Sequence, residues 1–87
     1  TDITGDPASI TLDIPAGGFA VSADLIQSSG TATWAGLTER SDGLIESNGV
    51  FSTSGDSFAA AQTALAISCD DSGTSTDHAL CAASWGN

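Results

Sequence analysis

The residue types best suited to chemistry lie close together near the end of the chain. A polar segment, residues 70–77, holds three aspartates. Cys69 directly precedes it, and His78 and Cys81 follow it. Zinc binds thiolate, imidazole and carboxylate ligands in a tetrahedron, and calcium takes the oxygen ligands that aspartates offer. The spacing matches no zinc-finger pattern, the EF-hand spacing with its closing Glu is absent, and His78 is the only histidine. We therefore predict no metal and no other cofactor, and we interpret the segment as a solvated loop.

The two cysteines leave two interpretations open. A Cys69–Cys81 disulfide would close the polar loop and stabilise the fold by about 3 kcal/mol through loop entropy. Alternatively, both are free thiols that act as small apolar residues. A bridge is typical of an exported protein and free thiols of a cytosolic one, and Thr1 fits a cytosolic product that has lost its Met.

Catalysis finds little support in the residue types. The chain has no Lys, Tyr or Met, and Arg40 is its only side chain that could clamp an anion. No G-x-S-x-G elbow occurs, and the adjacent carboxylates of Asp70 and Asp71 would point apart on a strand. A general acid or base needs a positioned partner, so we predict no catalytic residue and no enzyme activity.

Large aromatic side chains are the remaining candidates for recognition. Trp34 and Trp85 could stack on sugars, as in a carbohydrate-binding β-sandwich, or fill a core that has few other large residues. With Phe19 they form the candidate interface residues.

Charge and length exclude several classes of protein. The chain has 87 residues with 11 acidic groups against one basic one, a formal net charge of −10. Nucleic acids and anionic membrane surfaces both need basic patches, so we expect neither as a partner. No apolar run approaches the roughly 18 residues of a spanning helix. We predict a single β domain over residues 1–87.

The supply of core residues is small. Six Ile, six Leu, two Val, three Phe and two Trp stand beside fourteen Ala. Small domains with few large apolar residues gain from a disulfide, a metal or a neighbouring subunit. The composition therefore favours a domain that docks on other subunits.

The first half of the chain alternates between apolar and polar residues, the pattern of half-buried strands. Ile10, Leu12 and Ile14 share one face, and Pro15 with Gly17-Gly18 ends that strand. Two further alternating segments, Phe19–Leu25 and Thr31–Trp34, predict two more strands.

The middle of the chain predicts a hairpin. Gly43–Ser47 and Val50–Thr53 flank Asn48-Gly49, a pair typical of a two-residue type I′ turn. Asp42-Gly43 predicts a second tight turn, which would give a three-stranded meander from Thr31 to Thr53. Glu39-Arg40 is interpreted as an exposed turn.

The last third combines a strand, the polar loop and a final strand. Ala64–Cys69 and His78–Trp85 are predicted as strands, whereas the segment around Phe58 is Ala-rich and leaves a short helical turn open. Many short strands separated by turn residues indicate an all-β fold, a small antiparallel β-sandwich or barrel.

Two short motifs resemble the head decoration, or cement, proteins of tailed bacteriophages. These are Pro15-Ala16-Gly17-Gly18 after an apolar strand, and Gly49-Val50-Phe51 ahead of a small-residue strand, Ala59–Asp71, that runs into acidic residues. The resemblance covers Ile10 to Asp71. It implies a non-enzymatic β domain that clamps capsid subunits from outside, often as a symmetric oligomer.

The sequence thus predicts a structural subunit of a larger assembly, a virion decoration protein with protein partners in a homo- or hetero-oligomer. A secreted or surface filament subunit of the pilus type, with the Cys69–Cys81 bridge, is the first alternative. A carbohydrate-binding module that uses Trp34 or Trp85 is the second.

Overall fold

A computed structural model describes residues 7–28, 30–73 and 77–86, which form seven strands and no helix. No helix in these residues is long and apolar enough to cross a membrane. The strands are β1 (Ala8–Ile14), β2 (Phe19–Ile26), β3 (Ala32–Ala35), β4 (Glu39–Glu46), β5 (Gly49–Ser57), β6 (Gln62–Asp71) and β7 (His78–Trp85).

The strands form two antiparallel sheets that pack face to face. The three-stranded sheet has the order β1-β6-β3, and the four-stranded sheet has the order β4-β5-β2-β7. The predicted β-sandwich is confirmed, and the two sheets do not close into a barrel.

The first strand and its turn follow the sequence pattern. Ile14 is buried, and Ile10 and Leu12, on the same face of β1, pack against the core. Gly17 takes a φ of 72°, and the Gly18 amide donates to the Pro15 carbonyl at 2.8 Å. Glycine adopts this left-handed backbone without steric cost, which explains its place in the turn.

The β4–β5 hairpin is confirmed, with its turn one residue earlier than predicted. Glu46 pairs with Gly49, so the two connecting residues are Ser47 and Asn48. Glu39-Arg40 is not a turn, because both residues belong to β4, and the Asp42-Gly43 turn is also wrong, because β4 continues through it.

The predicted meander is wrong because β3 and β4 lie in different sheets. Strand β3 pairs with β6, and the chain crosses to the other sheet at Gly36, whose φ is 92°. A Cβ at Gly36 would collide with the Ala66 carbonyl oxygen, so the close crossing requires glycine.

The segment around Phe58 is an irregular connection and not a helical turn. The Phe58 amide donates to the Gly18 carbonyl at 3.0 Å, and the Gly17 amide donates to the Ala59 carbonyl at 3.2 Å. These long-range bonds tie the connection to the turn after β1, and they outweigh the helical propensity of its alanines.

Two small clusters make up the core between the sheets. Ile14, Ala20, Leu37 and Ile67 form one, and Ile26, Ala32, Val50 and Cys69 form the other. Trp34 packs against both.

Candidate functional site

The four-stranded sheet buries several polar side chains beside its core residues and exposes large apolar side chains on its other side. Its buried residues include three serines, an aspartate and a histidine: Ser22, Ser52, Ser54, Asp24 and His78. On the opposite face, Leu25 is 47% exposed and Trp85 is 51% exposed. Half-buried sheets ordinarily place apolar residues inward and polar residues outward, so the buried polar groups and the exposed apolar ones are both unusual.

Most of these inner polar side chains have hydrogen-bond partners, whereas the Ser54 hydroxyl has none among the described residues. The Ser22 hydroxyl donates to the Cys81 carbonyl at 2.9 Å, and the Ser52 hydroxyl donates to the Ser41 carbonyl at 2.8 Å. Ser52 also accepts a hydrogen bond from the Trp34 indole at 2.8 Å. Paired in this way, small polar side chains can occupy the interior without a large desolvation cost.

Asp24 and His78 form a fully buried pair on the inner side of this sheet, where β7 begins. Nδ1 of His78 lies 2.6 Å from Oδ2 of Asp24, and both side chains are inaccessible to solvent. Oδ1 of Asp24 has no hydrogen-bond partner among the described residues. The Asp24 carboxylate therefore depends mainly on His78 to offset the cost of its removal from water.

The Cys69 thiol and the His78 imidazole both lie beside the Asp24 carboxylate, but their environment disfavours catalysis. Burial raises the pKa of the Cys69 thiol, and hydrogen bonding to Asp24 and the charge of that carboxylate raise it further. A nucleophilic cysteine needs the opposite shift. Neither the concavity on the outward side of the four-stranded sheet nor two smaller ones on the described residues are lined by Cys69, Asp24 or His78. We interpret the cluster as structural.

Cys69 and Cys81 are free thiols, so the Cys69–Cys81 disulfide is not formed. Cys69 is buried between the sheets, whereas Cys81 is exposed on the far side of the four-stranded sheet. Of the two interpretations left open by the sequence, the structure has the free thiols, because Cys69 of β6 lies on the inner side of the four-stranded sheet and Cys81 of β7 on its outer side.

The polar segment 70–77 is not a loop throughout, because its first two residues, Asp70 and Asp71, belong to β6. Asp71 is buried and accepts a hydrogen bond from the Ser28 hydroxyl at 2.8 Å. Residues 74–76 of the proposed loop lie outside the described residues. Among those described, no three His, Cys, Asp or Glu side chains are placed to hold a metal ion.

Twelve outward-facing residues of the four-stranded sheet, on β2, β5 and β7, are all uncharged and are here called the outer face. Cross-strand pairing arranges its residues in four rows of three. The rows are Ser57-Phe19-Trp85, Gly55-Val21-Ala83, Thr53-Ala23-Cys81 and Phe51-Leu25-Ala79.

The two middle rows form a trough across the strands. Apart from Val21, their side chains are small, whereas Phe19 and Trp85 stand at one end of the face and Leu25 and Phe51 at the other. The end rows are six residues apart along β2, a distance of about 20 Å at roughly 3.3 Å per residue. A concavity of about 690 Å³ lies over the middle rows.

An ion pair borders the trough on the side of β4. Arg40 and Asp56 both line the concavity, and Nη2 of Arg40 lies 2.9 Å from Oδ1 of Asp56. The Arg40 Nε also donates to the Gly55 carbonyl at 2.8 Å. The single cation of the chain is thus held beside the apolar floor, with its charge already partnered.

The candidate interface residues fall in two places. Phe19 and Trp85 are together on the outer face, with ring centroids 5.3 Å apart. Trp34 lies between the sheets, so it is a core residue and not a surface platform. The small residues of the trough, such as Ala23 and Ala83, were not identified from the sequence, and the only signal for them was their position among alternating apolar residues.

The Arg40–Asp56 pair predicts a specific loss of stability in acid. Partial burial raises the pKa of Asp56, but hydrogen bonds from Thr38 and the charge of Arg40 outweigh it and bring the pKa below its ordinary value of 3.8. A lowered pKa stabilises the fold above the unfolded-state value, and this contribution is lost as the pH falls through the folded-state pKa. Denaturant unfolding should therefore show Asp56→Asn to be less stable than the wild type at pH 7, with the difference shrinking towards pH 2. An equal difference at both pH values would contradict this assignment.

Comparison with protein-family models, curated proteins and solved structures finds no match to this chain. The functional argument therefore depends on the geometry of the domain itself.

Proposed function

We propose that this protein is a non-enzymatic structural subunit of a larger assembly, a decoration protein of a virion shell, that docks through its outer face. The observation that carries the proposal is the uncharged outer face with its five large, partly exposed apolar side chains. These are Phe19, Val21, Leu25, Phe51 and Trp85.

A contiguous exposed apolar face of this kind is typical of a protein interaction site. The sandwich has few large residues in its core. Several of its large apolar side chains lie on the outer face, where only a neighbouring molecule can cover them. Binding to the folded state alone would stabilise the domain by mass action. The phage decoration proteins that the sequence resembles would dock on a shell in this sense.

The absence of enzyme activity is part of the same proposal. It is supported by the burial of the Cys69–Asp24–His78 cluster and by the raised pKa of its thiol. The filament alternative loses the Cys69–Cys81 bridge that would have distinguished it.

A carbohydrate-binding module is a second candidate, because Trp85 is exposed and stands beside Phe19. Exposed aromatic rings of this kind stack on apolar ligand faces. Quenching of tryptophan fluorescence by members of a glycan panel, lost in Trp85→Ala, would support it. No quenching across the panel would remove it.

Substitution of the trough floor tests docking directly. Val21→Glu places a charge in the middle of the outer face, and Ile45→Glu makes the same change at an exposed position outside the trough. We expect Val21→Glu to fold normally and to be lost from the sedimenting assembly of the source material, while Ile45→Glu co-sediments like the wild type. Negative-stain microscopy would show whether that assembly is a shell.

Two results would count against the proposal. One is a wild-type protein that is absent from every sedimenting particle and stays a monodisperse monomer. The other is a folded Val21→Glu variant that is incorporated as well as Ile45→Glu.

A further inference from the structure

We infer that the trough of the outer face receives an amphipathic helix of a partner protein, apolar on one side and flanked by basic residues. This inference rests on the proposed function, because it names the chemistry of the partner that the outer face would dock. The shape of the trough, its lack of charge and the net charge of the chain each restrict the occupant.

The shape argues for a rounded element. The floor is made of small residues, including Gly55, Ala23 and Ala83, and the bulky end rows stand about 20 Å apart at roughly 3.3 Å per residue along β2. A helix with its side chains is about 10–12 Å across, so it fits between those rows. A flat sheet face would bridge over the concavity and lose dispersion contacts with the floor.

The surface chemistry argues for an apolar stripe on that helix. None of the twelve residues in the four rows is charged, and amphipathic helices bind apolar grooves of this kind by their hydrophobic side. Arg40 and Asp56, on the β4 side of the trough, neutralise each other, so the partner helix needs no charged residue opposite them.

The charge of the whole domain argues against a second copy and for basic flanks. The chain carries −10 with a single basic residue, so two copies face to face would repel each other. The described residues also contain no helix that a second copy could supply. A partner with Lys or Arg beside its apolar stripe would be attracted by the same field.

Two synthetic peptides of about 14 residues, which span about 21 Å as helices, serve as the probe. They share an Ala/Leu apolar stripe and differ only in Lys or Glu on the flanks. The exposed Cys81 thiol lies in the trough and reports occupancy by its rate of maleimide labelling, while the buried Cys69 provides an internal unreactive thiol. We expect the Lys-flanked peptide to slow Cys81 labelling and to bind about 10-fold or more tightly than the Glu-flanked one at low salt.

A matched pair of variants on β7 separates the trough from the rest of the outer face. Ala83→Phe fills the floor, whereas Ala79→Phe adds the same ring in an end row. Both positions are exposed, and an aromatic residue suits a strand, so both variants should fold. Ala83→Phe should weaken binding of the Lys-flanked peptide about 10-fold or more, and Ala79→Phe should leave it within about 3-fold, by the usual scale of a filled binding groove.

Several results would overturn the inference. Equal binding of both peptides, no protection of Cys81, or equal effects of the two Phe variants would each exclude a basic amphipathic helix. Concentration-dependent protection of Cys81 together with a dimer in sedimentation velocity would identify a second copy as the occupant. If the peptides fail while Val21→Glu is still lost from the source assembly, the proposed function stands and only this occupant is rejected.

Discussion

Replacing Asp24 with alanine is expected to lower the free energy of unfolding by about 3–5 kcal/mol, the scale for breaking one side of a buried pair. The substitution removes the carboxylate that pairs with the buried His78 ring and leaves a void between the sheets. It also removes the carboxylate that the Cys69 thiol approaches. Domains are stable by only about 5–15 kcal/mol, so this loss is a large part of the total. Urea unfolding followed by tryptophan fluorescence measures it.

The conservative variant keeps this prediction testable if Asp24→Ala does not fold. Asp24→Asn retains an acceptor for the His78 ring and should lose about 1–3 kcal/mol, the range for a weakened buried hydrogen bond. Glu39→Gln is the matched control, because it neutralises an exposed carboxylate and should change stability by less than about 0.5 kcal/mol. An Asp24→Ala protein as stable as the wild type would show that the pair contributes nothing net.

The two tryptophans should respond very differently to truncation. Trp34→Ala is expected to cost about 3–5 kcal/mol, because its ring packs against both core clusters. The change also deprives the Ser52 hydroxyl of its indole donor. Trp85→Ala should cost about 1 kcal/mol or less, since it loses only a half-exposed ring contact with Phe19. Thermal and urea unfolding of both variants give the comparison.

Trp34→Phe extends this comparison in case the alanine variant fails to fold. It keeps most of the packing and removes the hydrogen bond to Ser52, so an intermediate loss of stability is expected. Equal losses for Trp34→Ala and Trp85→Ala would contradict the assignment of one ring to the core and the other to the surface. Circular dichroism of each variant should keep the all-β spectrum.

Local patterns were sufficient to locate nearly every strand. The alternation of Ile10, Leu12 and Ile14 predicted β1 and its buried face, and His78–Trp85 matches β7 in both bounds. The hairpin around Asn48 was also recognised, with its turn displaced by one residue. Such features follow from the two-residue period of a strand and from the turn chemistry of Gly, Pro and Asn, both of which are encoded by neighbours in sequence.

Local sequence patterns predicted only part of the candidate site. Alternation showed that Phe19, Val21 and Leu25 share a side of β2, but it did not show that this side faces outward. The opposite side carries Asp24, and burial of an aspartate requires a partner, here the distant His78, that offsets the loss of its hydration. That partner is 54 residues further along the chain.

The amino-acid sequence alone determined the acidic charge, the shortage of large core residues and the positions of the strands, because these depend on composition and on near neighbours. Tertiary structure decided the division into two sheets, the separation of Cys69 from Cys81 and the choice of which face of the four-stranded sheet is buried. These features depend on contacts between strands far apart in the chain. A one-residue change of register would turn every side chain of a strand to the other face, so only the assembled fold selects the face that remains for a partner.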